Sequence, residues 1–132
     1  MSRNFRLTLP EPPEREIQAA VMRYLAIDRR VAWHERFNTG ATLVESRDAS
    51  GKQKRRFVRF AFPGCSDILG QLVTGHFLAV EIKRPSTKPT PEQASFLAQV
   101  EANGGLALIA SSIDDVALAL DLFGPLRKQR SA

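Results

Sequence analysis

Two apolar runs meeting at a short turn constrain this chain more than any other stretch: Ile68-Leu69-Gly70-Gln71-Leu72-Val73, then Thr74-Gly75, then His76-Phe77-Leu78-Ala79-Val80-Glu81-Ile82-Lys83. A turn signal between runs of this kind specifies an antiparallel hairpin, one strand spanning Asp67 to Val73 and the next His76 to Lys83. Its apolar residues make it part of a sheet. Side chains alternate between the faces of a strand, so Glu81 and Lys83 project to one side and Val80 and Ile82 to the other. The antiparallel return brings Glu81 and Lys83 to the end where Asp67 begins its strand. Two carboxylates and an ammonium therefore meet at one end of the sheet, where unpaired charges are expensive if buried.

The remaining elements arrange themselves around that hairpin. Pro10, Pro12 and Pro13 break the chain, leaving residues 1–12 as an extended arm. Ile17, Ala20, Val21, Tyr24 and Leu25 recur at helical spacing and predict a helix from about Glu14 to Asp28. Val31 to Phe37 reads as a strand ended by Asn38-Thr39-Gly40, with Trp33 and Tyr24 expected in the core and His34 on the face opposite Trp33. A basic excursion turning at Gly51 follows, in which Leu43-Val44 can pair with Phe57 to Phe60 as a hairpin. After the connector Pro85 to Pro91, Thr90 is the expected N-cap of a helix, with Pro91 at its first position and Gln93 completing a capping box. Asn103-Gly104 stops that helix. Leu106 to Ala110 is a short buried strand, Ser111 or Ser112 caps a last helix, and Gly124-Pro125 ends the fold. This order predicts one α/β domain over residues 13–124, a mixed central sheet flanked by helices, with a basic hairpin insertion at about 43–61 and a basic tail at 125–132.

Composition narrows the chemistry. Nineteen Lys and Arg against fourteen Asp and Glu give the 132-residue chain a net charge of +5, a surplus that attracts polyanions, nucleic acid first among them. Cys65 is the sole cysteine, so no intrachain disulfide is possible, and the isolated His34 and His76 offer no zinc-ligand spacing. With no paired histidine, Cys65 reads as a small packing residue. The longest apolar runs fall far short of the ~18 residues that cross a bilayer. Residues 1–7 lack the apolar core and cleavage site of a secretory signal, and the expectation is a cytoplasmic protein of a bacterial cell or phage-infected host. The basic run is either a solvated face or a cationic wing lying on phosphates. Oxygen ligands in the form of one or two carboxylates suit Mg²⁺, and an Asp/Glu pair beside a basic channel suits metal-assisted hydrolysis of a phosphodiester.

The pattern Gly64-x-x-Asp67, then Glu81-Ile82-Lys83, then Thr90-Pro91-Glu92-Gln93-x-x-Phe96-Leu97 resembles the virus-type replication-repair nuclease (VRR-Nuc) domain of the PD-(D/E)XK superfamily. Pro13 to Val21 is similar to that family's first helix and Arg36-Phe37-Asn38-Thr39-Gly40 to its first strand exit, so the resemblance covers roughly residues 13–122. It implies a restriction-endonuclease-like core and a Mg²⁺-dependent endonuclease, with Mn²⁺ substituting, acting on branched or flapped DNA as a homo-oligomer. By the same resemblance Asp67, Glu81 and the Ile82 backbone carbonyl are metal ligands, Lys83 orients the attacking water or offsets phosphate charge, and Gln93 holds Lys83 or the nucleophile. Gly-x-x-Asp stands here in place of Pro-Asp. The first-helix acid is Glu14 or Glu16. At about 100° per residue Glu14 lies about 20° from Val21, on the border of the buried stripe, and is the choice; Glu16 points toward solvent and is the fallback. DNA contacts are expected from Arg36, Asn38, Lys52, Lys54, Arg55, Arg56, Arg84 and Lys88. The alternatives are a non-catalytic nucleic-acid-binding module with the same fold and a sequence-specific, restriction-like nuclease, against which the absence of an added recognition domain counts.

Overall fold

In the computed structural model, which describes residues 10–37, 41–59 and 61–128, the elements run α1 (Glu14–Ile27), β1 (Val31–Arg36), β2 (Ala41–Arg47), β3 (Gln53–Arg59), β4 (Ile68–Leu72), β5 (Phe77–Ile82), α2 (Pro91–Ala102), β6 (Leu106–Ala110) and α3 (Ile113–Lys128). Four strands form one sheet in the order β1-β4-β5-β6, and β2 and β3 form a separate two-stranded ribbon. The β4–β5 hairpin is antiparallel with Ile68 opposite Val80 and Gln71 opposite Phe77. Its turn closes through Gly75 N–H donating to the Leu72 carbonyl at 2.8 Å, and Gly75 takes a φ of 92° that a side chain would resist. β6 lies parallel to β5, a pairing that requires the intervening α2 as a crossover.

Pleat alternation sorts the core into two layers. Leu78, Val80 and Ile82 of β5 face α1 and α3, where they pack with Ile17, Val21 and Leu25, four residues apart along α1, and with Val116 and Leu120 of α3. Ala79 points the other way, toward Leu97 and Val100 of α2, with Leu69 and Cys65 beside it. The hairpin strands are therefore covered on both faces, as their composition demands. The capping box forms: Gln93 N–H donates to Thr90 Oγ1 at 3.2 Å, and Thr90 N–H donates to Gln93 Oε1 at 2.9 Å. At α3 it is Ser112, not Ser111, whose hydroxyl accepts from the Asp115 N–H.

A polar clamp closes the far end. Arg30 donates to both carboxylate oxygens of Asp28 and pairs with Asp121 of α3, tying the α1–β1 turn to α3. Hydrogen bonds from the Arg30 guanidinium hold the Asp28 carboxyl well below the usual carboxylate range, against the opposing pull of its burial. Hydrogen bonding to Asp28 in turn pushes the Tyr24 phenol up.

Three expectations need correction here. Trp33 is 46% exposed rather than core. β1 is an edge strand, and α2, which packs on β5 and β6, does not extend over it; the indole settles for donating to Gln71 Oε1 at 2.9 Å. Tyr24 is half-buried at the margin of the core, its hydroxyl on Asp28. The helix stop at Gly124-Pro125 also fails, because α3 continues to Lys128. Proline removes one ladder donor, and near a helix end that loss does not terminate the helix. The expected strand exit at Asn38-Thr39-Gly40, most of the N-terminal arm and the last residues of the tail lie outside the described residues.

Gly70 has a steric reason for being glycine. A Cβ there would sit 2.4 Å from the Trp33 carbonyl oxygen, where β1 approaches β4 next to the register shift between Val31 and Trp33. Gly70→Ala must push β1 off the sheet, and overpacking of this kind costs about 1 to 3 kcal/mol. Urea unfolding is expected to show that loss; an unchanged midpoint would mean the strands separate freely.

Candidate functional site

The loop before β4 places the first carboxylate. Gly64 has a φ of +83°, and a Cβ on it would lie 2.4 Å from the Glu92 carbonyl oxygen in the first turn of α2. Any other residue would lift the loop off the helix. The following Cys65 and Ser66 are fully buried, and the Asp67 carbonyl accepts from Phe37 N–H at 2.8 Å, continuing the β1–β4 ladder by one residue. On the other side Asp67 Oδ2 accepts from Ile82 N–H at 2.8 Å, so a side chain takes the place of the next backbone acceptor. A strand residue aims its N–H and C=O toward the same neighbour, so the Ile82 carbonyl also faces this end of β4.

Glu81 stands on the α2 face of β5 and is 1% exposed. Its Oε1 lies 3.7 Å from Lys83 Nζ, and its Oε2 is buried without a hydrogen-bond donor among the described residues. Burial pushes the Glu81 carboxyl up to about 8; the negative charge of Asp67 and a hydrogen bond to it add to the shift, Lys83 opposes it, and Glu14 contributes a further upward push. Two neighbouring carboxyls can satisfy one another only by sharing a proton, and Lys83 is too far for a tight charge-assisted bond. The same surroundings act on Cys65, whose thiol is pushed up by burial and then by Glu81 and Asp67; it stays a thiol packed in the core.

The structure brings Asp67, Glu81, the Ile82 backbone and Lys83 together and sets Glu14 near enough to act on Glu81. Glu16 instead lines a cleft of about 760 Å³ between α1 and the start of α3, with Arg23 and Ser112. Gln93 is not drawn to Lys83: its side chain caps α2 as described above, which spends its carbonyl oxygen. Arg84 is held by Glu11, with Nε 3.4 Å from Oε2, and Ser86 Oγ donates to the same carboxylate at 2.6 Å. Arg36 and Lys88 are on the surface, as are Lys52, Lys54 and Arg55 on the ribbon; Arg56 pairs in register with Val44, and Asn38 lies outside the described residues.

Two supporting residues have roles toward the site that the sequence does not signal. Glu11 sits between prolines in what reads as a loose arm, yet it fastens the start of the domain to the β5–α2 connector. Ser111 donates its hydroxyl to the Lys83 carbonyl at 2.7 Å, while Lys83 N–H donates to the Ala110 carbonyl at 3.1 Å. Both bonds fix the backbone from which Lys83 projects. Glu11 belongs to no periodicity or motif, and Ser111 is visible in the sequence only as a candidate helix cap, not as a partner of the Lys83 backbone.

Among the described residues no group of three or more His, Cys, Asp or Glu side chains is placed to hold a metal ion. The donor set at this end of the sheet is smaller: two carboxyls, one with an orphaned buried oxygen, and a backbone carbonyl. That set fits a hard divalent cation that keeps several waters, the manner in which Mg²⁺ is usually held. Comparison with protein-family models and with curated proteins finds no match to this chain.

The raised Glu81 carboxyl has a thermodynamic consequence. A carboxyl that holds its proton more tightly when folded makes the folded state bind more protons between about pH 4.5 and 8, so stability falls as pH rises through that interval. The loss is at most about 1.4 kcal/mol per pH unit. Thermal unfolding in EDTA is expected to show a Tm advantage for Glu81→Gln over the unsubstituted protein that grows from pH 5 to pH 8.5. A difference independent of pH would contradict the burial of a titrating carboxyl.

Proposed function

We propose that this chain is a metal-dependent DNA endonuclease of the VRR-Nuc type, with a PD-(D/E)XK core. The observation that carries the reading is the buried Glu81, one oxygen without a hydrogen-bond partner among the described residues, beside Asp67 and Lys83 at one end of the sheet. A structural ion pair has no need of a second carboxyl, and the Glu81–Asp67 pairing is unfavourable unless a proton or a cation lies between them. The mixed four-stranded sheet, covered by helices on both faces, is compatible with that core. No helix among the described residues is long and apolar enough to cross a membrane.

In this reading Asp67, Glu81 and the Ile82 carbonyl hold Mg²⁺, or Mn²⁺ in its place, and Glu14 tunes the site from the start of α1. The cation supplies Lewis-acid polarisation of a phosphate and acidification of water. The chain's own residues do the rest. Asp67, fixed by the Ile82 amide, and Glu81, fixed by burial, hold their oxygens in place before substrate arrives, which is what makes electrostatic stabilisation effective. Lys83, with its Nζ 3.7 Å from Glu81 Oε1, offsets charge on the scissile phosphate. Gln93 positions α2, and through Gly64 the loop that carries Asp67. The cations Arg36 and Lys88 lie on the DNA path, Arg84 is steered by Glu11, and branched or flapped DNA is the proposed substrate. Self-association belongs to the same proposal; β6, at one end of the strand order among the described residues, and the exposed Leu118 and Leu122 of α3 are the surfaces proposed for it.

The test is a panel of labelled Holliday junction, 5′ and 3′ flaps, duplex and single strand, each with Mg²⁺, Mn²⁺ or EDTA. Metal-dependent incision is expected, absent in Asp67→Ala and slowed about 10²-fold or more in Lys83→Ala with folding intact. Binding across the panel without any metal-dependent cleavage would replace the nuclease with a non-catalytic binding module.

A further inference from the structure

Residues 41–59 build no part of the four-stranded sheet, yet they carry most of the chain's excess charge. Arg47, Lys52, Lys54, Arg55, Arg56 and Arg59 stand against Glu45 and Asp48, a net +4 of the whole chain's +5. Arg47, Lys52 and Lys54 are exposed. A lone two-stranded ribbon is marginal in water, so its charge is not explained by stability of the fold. Four of the cations, Lys54, Arg55, Arg56 and Arg59, fall on the single strand β3, which gives the ribbon one cationic edge.

The ribbon is also shaped and placed for one kind of partner. Its tip is fixed by the Asp48 carboxylate, which accepts from Ser50 N–H at 2.9 Å, Ser50 Oγ at 2.6 Å and Lys52 N–H at 2.9 Å. Seven cross-strand pairs, from Ala41 opposite Arg59 to Arg47 opposite Gln53, make a ladder ~20 Å long at about 3.4 Å per residue. In sequence the ribbon is flanked on both sides by described residues at the carboxylate end of the sheet. The chain departs after Phe37, whose N–H bonds the Asp67 carbonyl, and returns through the Gly64 loop that leads into Asp67.

We propose that the β2–β3 ribbon binds double-stranded DNA by entering its major groove, with β3 along the phosphates. This deepens the nuclease reading and rests on it only for the cleavage that binding would serve. A B-form major groove about 12 Å wide admits a two-stranded ribbon and a minor groove of about 6 Å does not. An A-form RNA duplex hides its major groove, and a single strand has none. A duplex gripped this way runs past the roots of the ribbon, where Asp67, Glu81 and Lys83 stand.

Fluorescence anisotropy with the full chain in EDTA tests this independently of cleavage, using a 20-bp DNA duplex, an RNA duplex of matching sequence and one DNA strand. The DNA duplex is expected to bind at least tenfold more tightly than the other two. The triple variant Arg47→Gln/Lys52→Gln/Lys54→Gln is expected to lose at least tenfold in duplex affinity. It is also expected to lower the slope of log K against log salt by about 2 to 3, since each phosphate neutralised contributes near 0.9. Methyl green, a major-groove ligand, is expected to displace the protein, and netropsin, a minor-groove ligand, is not. Equal affinity for the three nucleic acids, netropsin competition, or full affinity in a triple variant that keeps its thermal unfolding would each overturn the proposal. Duplex-selective binding without metal-dependent cleavage would leave it standing and remove the nuclease reading.

Discussion

A carboxyl buried next to another carboxyl is the constraint around which this molecule is arranged. Glu81 is almost completely enclosed, one of its oxygens has no donor among the described residues, and the charge of Asp67 adds to the cost of its own. Such a group persists only if the surrounding structure can hold it against its preference for water. The hairpin provides that rigidity. β5 has a neighbour strand on each side, and the residues flanking Glu81 are anchored in opposite layers, Val80 and Ile82 against α1 and α3, Ala79 against α2.

Each neighbour of Glu81 is then fixed by a separate local device. Asp67 is set by the Ile82 amide on one side and by the Gly64 loop on the other, and that loop can approach α2 only because Gly64 has no Cβ. The capping box at Thr90 and Gln93 starts α2 at the point where the loop needs a surface. Lys83 projects from backbone held by Ala110 and Ser111, and the connector after it is fastened through Arg84 and Ser86 to Glu11. These separate devices hold the two carboxyls side by side although each raises the cost of charging the other. Lys83 at 3.7 Å relieves part of the charge and leaves the rest.

The parts of this arrangement that repeat or punctuate are legible in the sequence. Alternation along Val80 to Lys83 puts Glu81 and Lys83 on one face, the turn at Thr74-Gly75 sets the pairing that brings Asp67 to them, and Thr90-Pro91 with Gln93 marks the start of α2. Helical phase places Glu14 and Glu16 on different sides of α1, and Glu16 lines the cleft against the start of α3. The features that cannot be read there depend on contacts between distant segments. Trp33 looks like a core residue until β1 is known to be an edge strand that α2 does not cover. Gln93 looks free to reach Lys83 until its oxygen is seen to be used in the cap. Glu11, flanked by prolines in an extended arm, acquires a role only once Arg84 and Ser86 are brought beside it.

In the proposed metal site, the buried Glu81 carboxyl holds a proton that a bound divalent cation displaces. The carboxyl carbon of Glu81 reports this directly in a ¹³C NMR pH titration of the intact protein with and without saturating Mg²⁺. Without Mg²⁺ the midpoint is expected near the raised value of about 8, and with Mg²⁺ it is expected to fall by at least about 2 units, as protons and cation compete for the same oxygens. A midpoint in the ordinary carboxylate range without metal, or one that Mg²⁺ leaves unmoved, would contradict the account.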